Sequence, residues 1–245
     1  MKTVATAGAI ASIAIVASAS AQGVIAQWNF TGNVSTPSAG TGVASVLGGT
    51  TASFATGASG TGDVGWNTTG YPAQGQGSGT AGASFAASTL GMGPSDNAIS
   101  FTFDLRTSNT ASRWYRVDYT VNGGSSWTLG TATQLGAPGA SAGDIWFLGN
   151  SFLVTDAAAL NNALFAVRVV SVFSPVAFTQ YSGNIAFGAD AAYEAARNPV
   201  SGTNSAYGGG TWRFDNVSIA AVPAPGAIAL LGLAGLVGTR RRRAA

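Results

Sequence analysis

The chain has 245 residues, 46% of them hydrophobic and only 8% charged, against roughly 25% charged in an average soluble protein. It holds neither Cys nor His, which excludes disulfides, thiolate and imidazole metal sites, and Ser-His-Asp or Cys-His catalysis. Five of the 11 basic residues are Lys2, Arg240, Arg241, Arg242 and Arg243 at the two ends, so the other six face nine acids in a body of net charge −3; with no basic face for phosphates, nucleic-acid binding is excluded.

Residues 1–21 begin with one Lys, continue through an apolar run from about Val4 to Val16, and end in small residues at Ala19-Ser20-Ala21. That layout predicts a secretory signal peptide cleaved after Ala21, with Ala19 and Ala21 read by the signal peptidase of the export machinery. The body, 22–221, reads as strands separated by turns. "VIAQWNF" (24–30) is a first strand, and residues 31–82 are rich in Gly, Ser, Thr and Ala with apolar islands at 43–47, 52–54 and 64–66. These predict irregular strands and long loops. In "AISFTFDLRTS" (98–108), Ile99, Phe101, Phe103 and Leu105 alternate with Ser100, Thr102, Asp104 and Arg106, the period of a half-buried strand.

"SRWYRVDYTVNGGSSWTLG" (112–130) alternates in the same way and then reaches Asn122-Gly123-Gly124, which supplies the positive-φ residues of a tight hairpin, with Trp127 opening the return strand. The spacing Thr120-x-Asn122-x-Gly124-x-Ser126-Trp127 resembles an Asp-box, a hairpin of sialidases and other secreted β proteins, with Asn in place of the usual Asp. That resemblance implies a fold-stabilising turn. "TDAAALNNA" (155–163) predicts a short helix or turn, and "LFAVRVVSVF" (164–173) a central strand buried on both faces, whose Arg168 needs a carboxylate or carbonyls if it points inward. "GNIAFG" (183–188) is a short strand, 190–210 a long loop with a helical turn at 190–197, and "TWRFDNVSIAAV" (211–222) the closing strand. About ten strands without a helical layer predict an all-β fold, a single β-sandwich of jelly-roll type.

From Gly226 to Gly238 the chain is apolar, barely long enough for a transmembrane helix, and Arg240, Arg241, Arg242 and Arg243 follow as a stop-transfer mark on the cytoplasmic side. Val222-Pro223-Ala224-Pro225, this segment and the arginine tail together resemble a PEP-CTERM sorting signal over 222–245, although Ala224 stands where the family usually has Glu. The resemblance implies an exosortase substrate, held transiently in the inner membrane and then released or re-anchored at the cell surface or in the extracellular matrix. "WNFTGN", "GWNTTGYPAQGQGSGTAG" (65–82), "LNNALFAVRVVSVF" and "GTWRFDNVSI" are also similar to a group of secreted PEP-CTERM proteins of planctomycete-like bacteria.

"FDNVSI" resembles the closing strand of jelly-roll carbohydrate-binding modules, which implies a structural Ca²⁺ at Asp215 with carbonyls around Asn29; the other reading is an edge Asp held by backbone N–H groups or Arg213. Aromatic rings serve as platforms for pyranose rings; Trp66, Tyr71, Trp114, Trp146, Tyr181, Tyr193 and Tyr207 are possible platforms, with Trp66, Tyr71, Trp146 and Tyr193 nominated, although each alone is more often core or strand-pair packing. Asp104, Asp118 and Glu194 are carboxylates that nothing in the sequence pairs for hydrolysis. The first expectation is a non-enzymatic structural or interaction protein; the alternative is a carbohydrate-binding module for extracellular polysaccharide.

Overall fold

The computed structural model describes residues 23–198 and 204–224. The expected signal peptide with Ala19 and Ala21, the apolar segment, Pro225 and the four terminal arginines lie outside them.

Among the described residues, alternating apolar residues and frequent turns produce fourteen strands and one 3-10 turn. In chain order these are β1 (Gly23–Trp28), β2 (Ala39–Gly40), β3 (Val43–Leu47), β4 (Thr51–Gly57), β5 (Gly60–Thr69), β6 (Gly82–Ala86) and β7 (Asp96–Thr107). There follow β8 (Trp114–Thr120), β9 (Thr128–Gln134), β10 (Trp146–Val154), the 3-10 turn Ala157–Ala159, β11 (Ala166–Ser171), β12 (Phe178–Gln180), β13 (Ile185–Phe187) and β14 (Thr211–Pro223). Two antiparallel sheets face each other as a jelly-roll-like β-sandwich. One runs β10-β7-β14-β1-β2 with β5 and β4 branching from β14; the other runs β3-β6-β11-β8-β9. A separate hairpin pairs β12 with β13.

β7 follows its predicted alternation: Ile99, Phe101, Phe103 and Leu105 are buried against the second sheet. β14 is the spine of the larger sheet, pairing β7 along one side while its other side passes from β5 (Thr211–Phe214) to β1 (Val217–Ala221). The handover falls on a bulge after Asp215, where Asn216 takes φ +46°, a value that short polar side chains tolerate. β14 also continues through Val222 and Pro223, which pair Ala98 and Asp96, and the Ala224 N–H donates to the Ser95 carbonyl. Val222, Pro223 and Ala224, three residues of the stretch that resembles a sorting motif, are thus joined to the sheet.

Between the sheets lies an aromatic core in which Phe85, from β6, sits among Trp28, Trp66, Phe101 and Phe214 at centroid distances of 5.3, 6.0, 5.8 and 5.9 Å. The expected helical turn at 190–197 is absent. That segment is instead a loop of turns and bends with a single bridge at Ala195, bonded through the Arg113, Ala196 and Arg197 N–H groups and the Ala196 carbonyl to the 109–113 and 142 backbone, with Ala195 and Ala196 fully buried. Helix formation there would leave these cross-chain donors and acceptors unpaired. β2, β6, β10 and β12 have no counterpart among the predicted strands.

Candidate functional site

In β6 the core-facing residues are Ala83 and Phe85, so Gly82, Ser84 and Ala86 form its outer face. Through the register, Ser84 sits between Ser45 of β3 and Arg168 of β11, and Ala86 between Val43 and Ala166. The floor of the outer face is therefore made of very small side chains. Taller groups stand on either side: Val43 and Leu47 on β3, and Leu164 and Trp127 at the far margin. The result is an open trough of about 630 Å³. Val43 and Leu164, about 60% exposed on its rim, are left with apolar surface uncovered (60% and 58%).

The loop between β8 and β9 places Trp127. Thr120 Oγ1 donates to Asn122 Oδ1 at 2.8 Å and accepts the N–H groups of Asn122 and Gly124; Asn122 Oδ1 accepts Ser126 N–H at 3.0 Å, and its Nδ2 donates to Ser126 Oγ at 2.8 Å. Gly123 and Gly124 take φ +70° and +90°, a region costly for residues with a Cβ. The expected fold-stabilising turn is present, but as a seven-residue loop closed by side chains rather than a tight two-residue hairpin. It ends with Trp127 half-buried beside the trough, its ring 4.4 Å from the Arg168 guanidinium carbon, within cation–π range.

Arg168 points outward, not into the core. It donates from Nε to Asp118 Oδ2 at 2.9 Å and approaches the same oxygen with Nη2 at 2.9 Å. Arg116 adds Nε to Oδ1 at 2.6 Å and Nη2 to Oδ2 at 3.1 Å, and the Gly130 N–H reaches Oδ1 at 3.2 Å. Asp118 is fully buried beneath the two guanidinium groups. Losing either partner of such a buried carboxylate is expensive, about 3–5 kcal/mol for a buried pair.

The four nominated aromatics do not meet at one place. Trp66 is buried in the core, stacked on Phe30 at 5.7 Å, and offers no face to solvent. Tyr193 is fully buried, stacked on Tyr207 at 4.7 Å and meeting Phe173 edge-on at 4.8 Å. Tyr71 is buried against Trp212, its hydroxyl 2.7 Å from Thr68 Oγ1, and shows only an edge to a smaller cavity of about 440 Å³ among Ser108, Thr110 and Gly209. These three serve the core, where their large apolar area stabilises most. Trp146 is half-buried opposite Arg106, on the outer face of the larger sheet and so on the other side of the sandwich from the trough. Trp127 is not among the platforms expected from the sequence, although the turn pattern ends on it.

Asp215 is fully buried, with Oδ2 accepting the Ala58 N–H at 2.8 Å and Oδ1 the Asn216 N–H at 2.8 Å. Asp63, which accepts the Ser59 and Val64 N–H groups, meets it over Gly57, where a Cβ would come within 2.6 Å of an oxygen of each. Four N–H donors already occupy these oxygens, and among the described residues no group of three or more acids gathers. A calcium ion takes six to eight oxygen ligands, of which the Asp215 and Asp63 carboxylates hold four oxygens, each already accepting one N–H. Burial, the largest cause, raises Asp215 to about 6 against its two N–H donors, with the Asp63 charge adding to the rise. For Asp63 burial also acts upward, but its N–H donors and the hydrogen bond with Asp215 outweigh it and hold the group below the usual carboxylate value.

The nominated carboxylates are likewise engaged. Asp104 accepts Gly149 N–H and Asn216 Nδ2; Glu194 accepts Trp114 Nε1, Asn198 Nδ2 and the fully buried Arg113. Arg113 also donates to the Leu135, Ala137, Ala140 and Asn198 carbonyls, pinning two loops.

No protein-family model matches the sequence, and no curated protein does. Among solved structures the chain is similar to the N-terminal CBM22-1-CBM22-2 tandem domain from Paenibacillus barcinonensis Xyn10C, at 12% identity and TM-score 0.46, over 88% of this chain and 48% of that one. It is similar to the CBM22-2 xylan-binding domain of the same protein at 9% identity and TM-score 0.43, over 80% and 98%. The CBM22-1-GH10 modules of Clostridium thermocellum xylanase 10B, complexed with xylohexaose, match at 9% identity and TM-score 0.41, over 73% and 26%. The chain spans about half the length of the tandem domain and about a quarter of the xylanase modules.

Proposed function

We propose that this protein is an exported, non-catalytic binding β-sandwich whose ligand is an extracellular polysaccharide. The observation that carries the reading is the trough over β6: an open channel with a floor of Ser84, Ala86 and Ala166, apolar rims at Val43 and Leu164, and an indole at its margin. An extended sugar chain needs such a channel, because its C–H faces pack on apolar and aromatic surface while its hydroxyls seek hydrogen-bonding groups. The address rests on the ends of the sequence. The predicted signal peptide and the Pro223-x-Pro225, apolar and arginine series support sorting by an exosortase to the cell surface or matrix.

The test is retention of the folded body in gels containing soluble polysaccharides, neutral and acidic. Retention by at least one of them, reduced about tenfold by Trp127→Ala and unchanged by Trp146→Ala, supports the reading; tenfold is about 1.4 kcal/mol, the scale of one well-placed aromatic contact. Absence of retention on every polysaccharide overturns it. If Trp146→Ala alone abolishes retention, the trough is the wrong face.

A further inference from the structure

We infer that the trough selects a sugar chain carrying carboxylates, a uronate-containing polysaccharide, over a neutral one. The inference rests on the polysaccharide reading and adds the charge of the ligand. The outer face of the five-stranded sheet bears two guanidinium groups, Arg116 and Arg168, and one carboxylate, Asp118. The three form a single cluster in which the carboxylate is wholly covered, while the Arg116 and Arg168 side chains retain 20% and 16% of their exposure. What reaches solvent there is therefore surplus positive charge.

Both arginines spend Nε and Nη2 on Asp118, and among the described residues neither Nη1 has a hydrogen-bond partner. Two guanidinium edges remain for an incoming oxyanion, and guanidinium–carboxylate hydrogen bonds are among the stronger kinds. Trp127 joins this charge to the trough, since it lines the channel and lies against Arg168. No acid is among the described residues lining the channel. Glu194, which reaches this sheet through its bond to Trp114 Nε1, is compensated by Arg113.

Unspecific attraction of a polyanion does not account for such selection, because the body as a whole is negative: nine acids against six arginines outside the two ends. A carboxylated chain must approach against that net field. Only a local, fixed cation cluster rewards it.

The experiment compares polygalacturonate, its fully methyl-esterified form, neutral xylan and dextran sulfate as ligands for the folded body. Tighter binding of polygalacturonate than of its ester by about tenfold, with the ratio of the two affinities falling to about one in Arg168→Gln, is the expected result; tenfold corresponds to one charged hydrogen-bonding contact. Gln still offers Asp118 a donor, so the fold is expected to persist. Should Arg168→Gln fail to fold, salt decides instead: added NaCl weakens polygalacturonate binding and leaves the ester unaffected. Equal binding of acid and ester, or binding of xylan alone, overturns the inference and leaves the polysaccharide reading standing. Preference for dextran sulfate overturns the assignment to carboxylates, and binding of none of the four removes both readings.

Discussion

Asp215 and Asp63 show how a buried pair of acids ties stability to pH. Held over Gly57 with four N–H donors around them, the two groups favour the state in which Asp63 is ionised and Asp215 keeps its proton. Because Asp215 is raised from 3.8 to about 6, the folded chain binds a proton that the unfolded chain has already released across that interval. Stability from this group is full below the unfolded value and is lost as pH rises through the folded one. Asp63 is lowered, so its contribution has the opposite sign: present above its unfolded value and lost as pH falls through the folded one. The two together place the optimum of this pair in mildly acidic solution. The melting temperature is therefore expected to decline from about pH 4 to about pH 7, and Asp215→Asn is expected to flatten that decline. The substituted amide keeps an acceptor for Asn216 and gains a donor for Asp63, while the lost Ala58 acceptor lowers stability at every pH by about 1 kcal/mol. Thermal melts of both proteins across that range check this; parallel slopes would show that the pair is not the group responsible.

The β8–β9 hairpin is the element on which both fold and site depend. Asn122 closes its loop through Ser126, the residue before Trp127. Asn122→Ala is expected to lower stability by about 1 kcal/mol, the net worth of a hydrogen bond or two at the surface. It should also weaken polysaccharide binding several-fold although no trough residue is altered, by loosening the indole. Equal affinity after the change would show that packing, not the loop, sets the ring. This hairpin and β7 were legible in the sequence because their alternation is clean and their apolar side chains are large. β6 was not, since its outer residues Gly82, Ser84 and Ala86 contrast too little with Ala83 for a period to show. β10 was hidden for another reason. Its register shifts between Phe147 and Asn150, and its outward Leu148 and Leu153 are 66% and 56% exposed, so the usual polarity pattern is broken. The site was less legible than the fold. Arg168 and Asp118 stand 50 positions apart and meet only because β11 lies beside β8, and aromatic content alone could not separate the core indole of Trp66 from the trough indole of Trp127.

At the scale of the molecule, one ring ties the two sheets together and the trough to the core. Phe85 comes from the five-stranded sheet, whereas Trp28, Trp66, Phe101 and Phe214 around it come from the other. Its strand neighbours Ser84 and Ala86 face the opposite way and floor the channel. No disulfide supports the sandwich, because the chain has no Cys, so its cohesion depends on such interdigitation and on buried hydrogen bonds. Removing the ring leaves a cavity walled by aromatic groups that are each packed elsewhere and cannot collapse into it. Phe85→Ala is accordingly expected to cost about 3–5 kcal/mol, the range for buried aromatic truncations, a large part of the roughly 5–15 kcal/mol that holds a domain folded. Phe85→Leu, which refills much of the volume, should cost less than half as much. Urea unfolding of the three proteins reads this directly, with the midpoint moving in the order Phe, Leu, Ala and the slope unchanged. Since β6 is fixed to the core by this ring, the leucine variant should also bind polysaccharide more weakly while still folded. A loss under about 1 kcal/mol for the alanine variant would mean that the sheets can close over the gap, and that the shape of the trough is set by strand pairing alone.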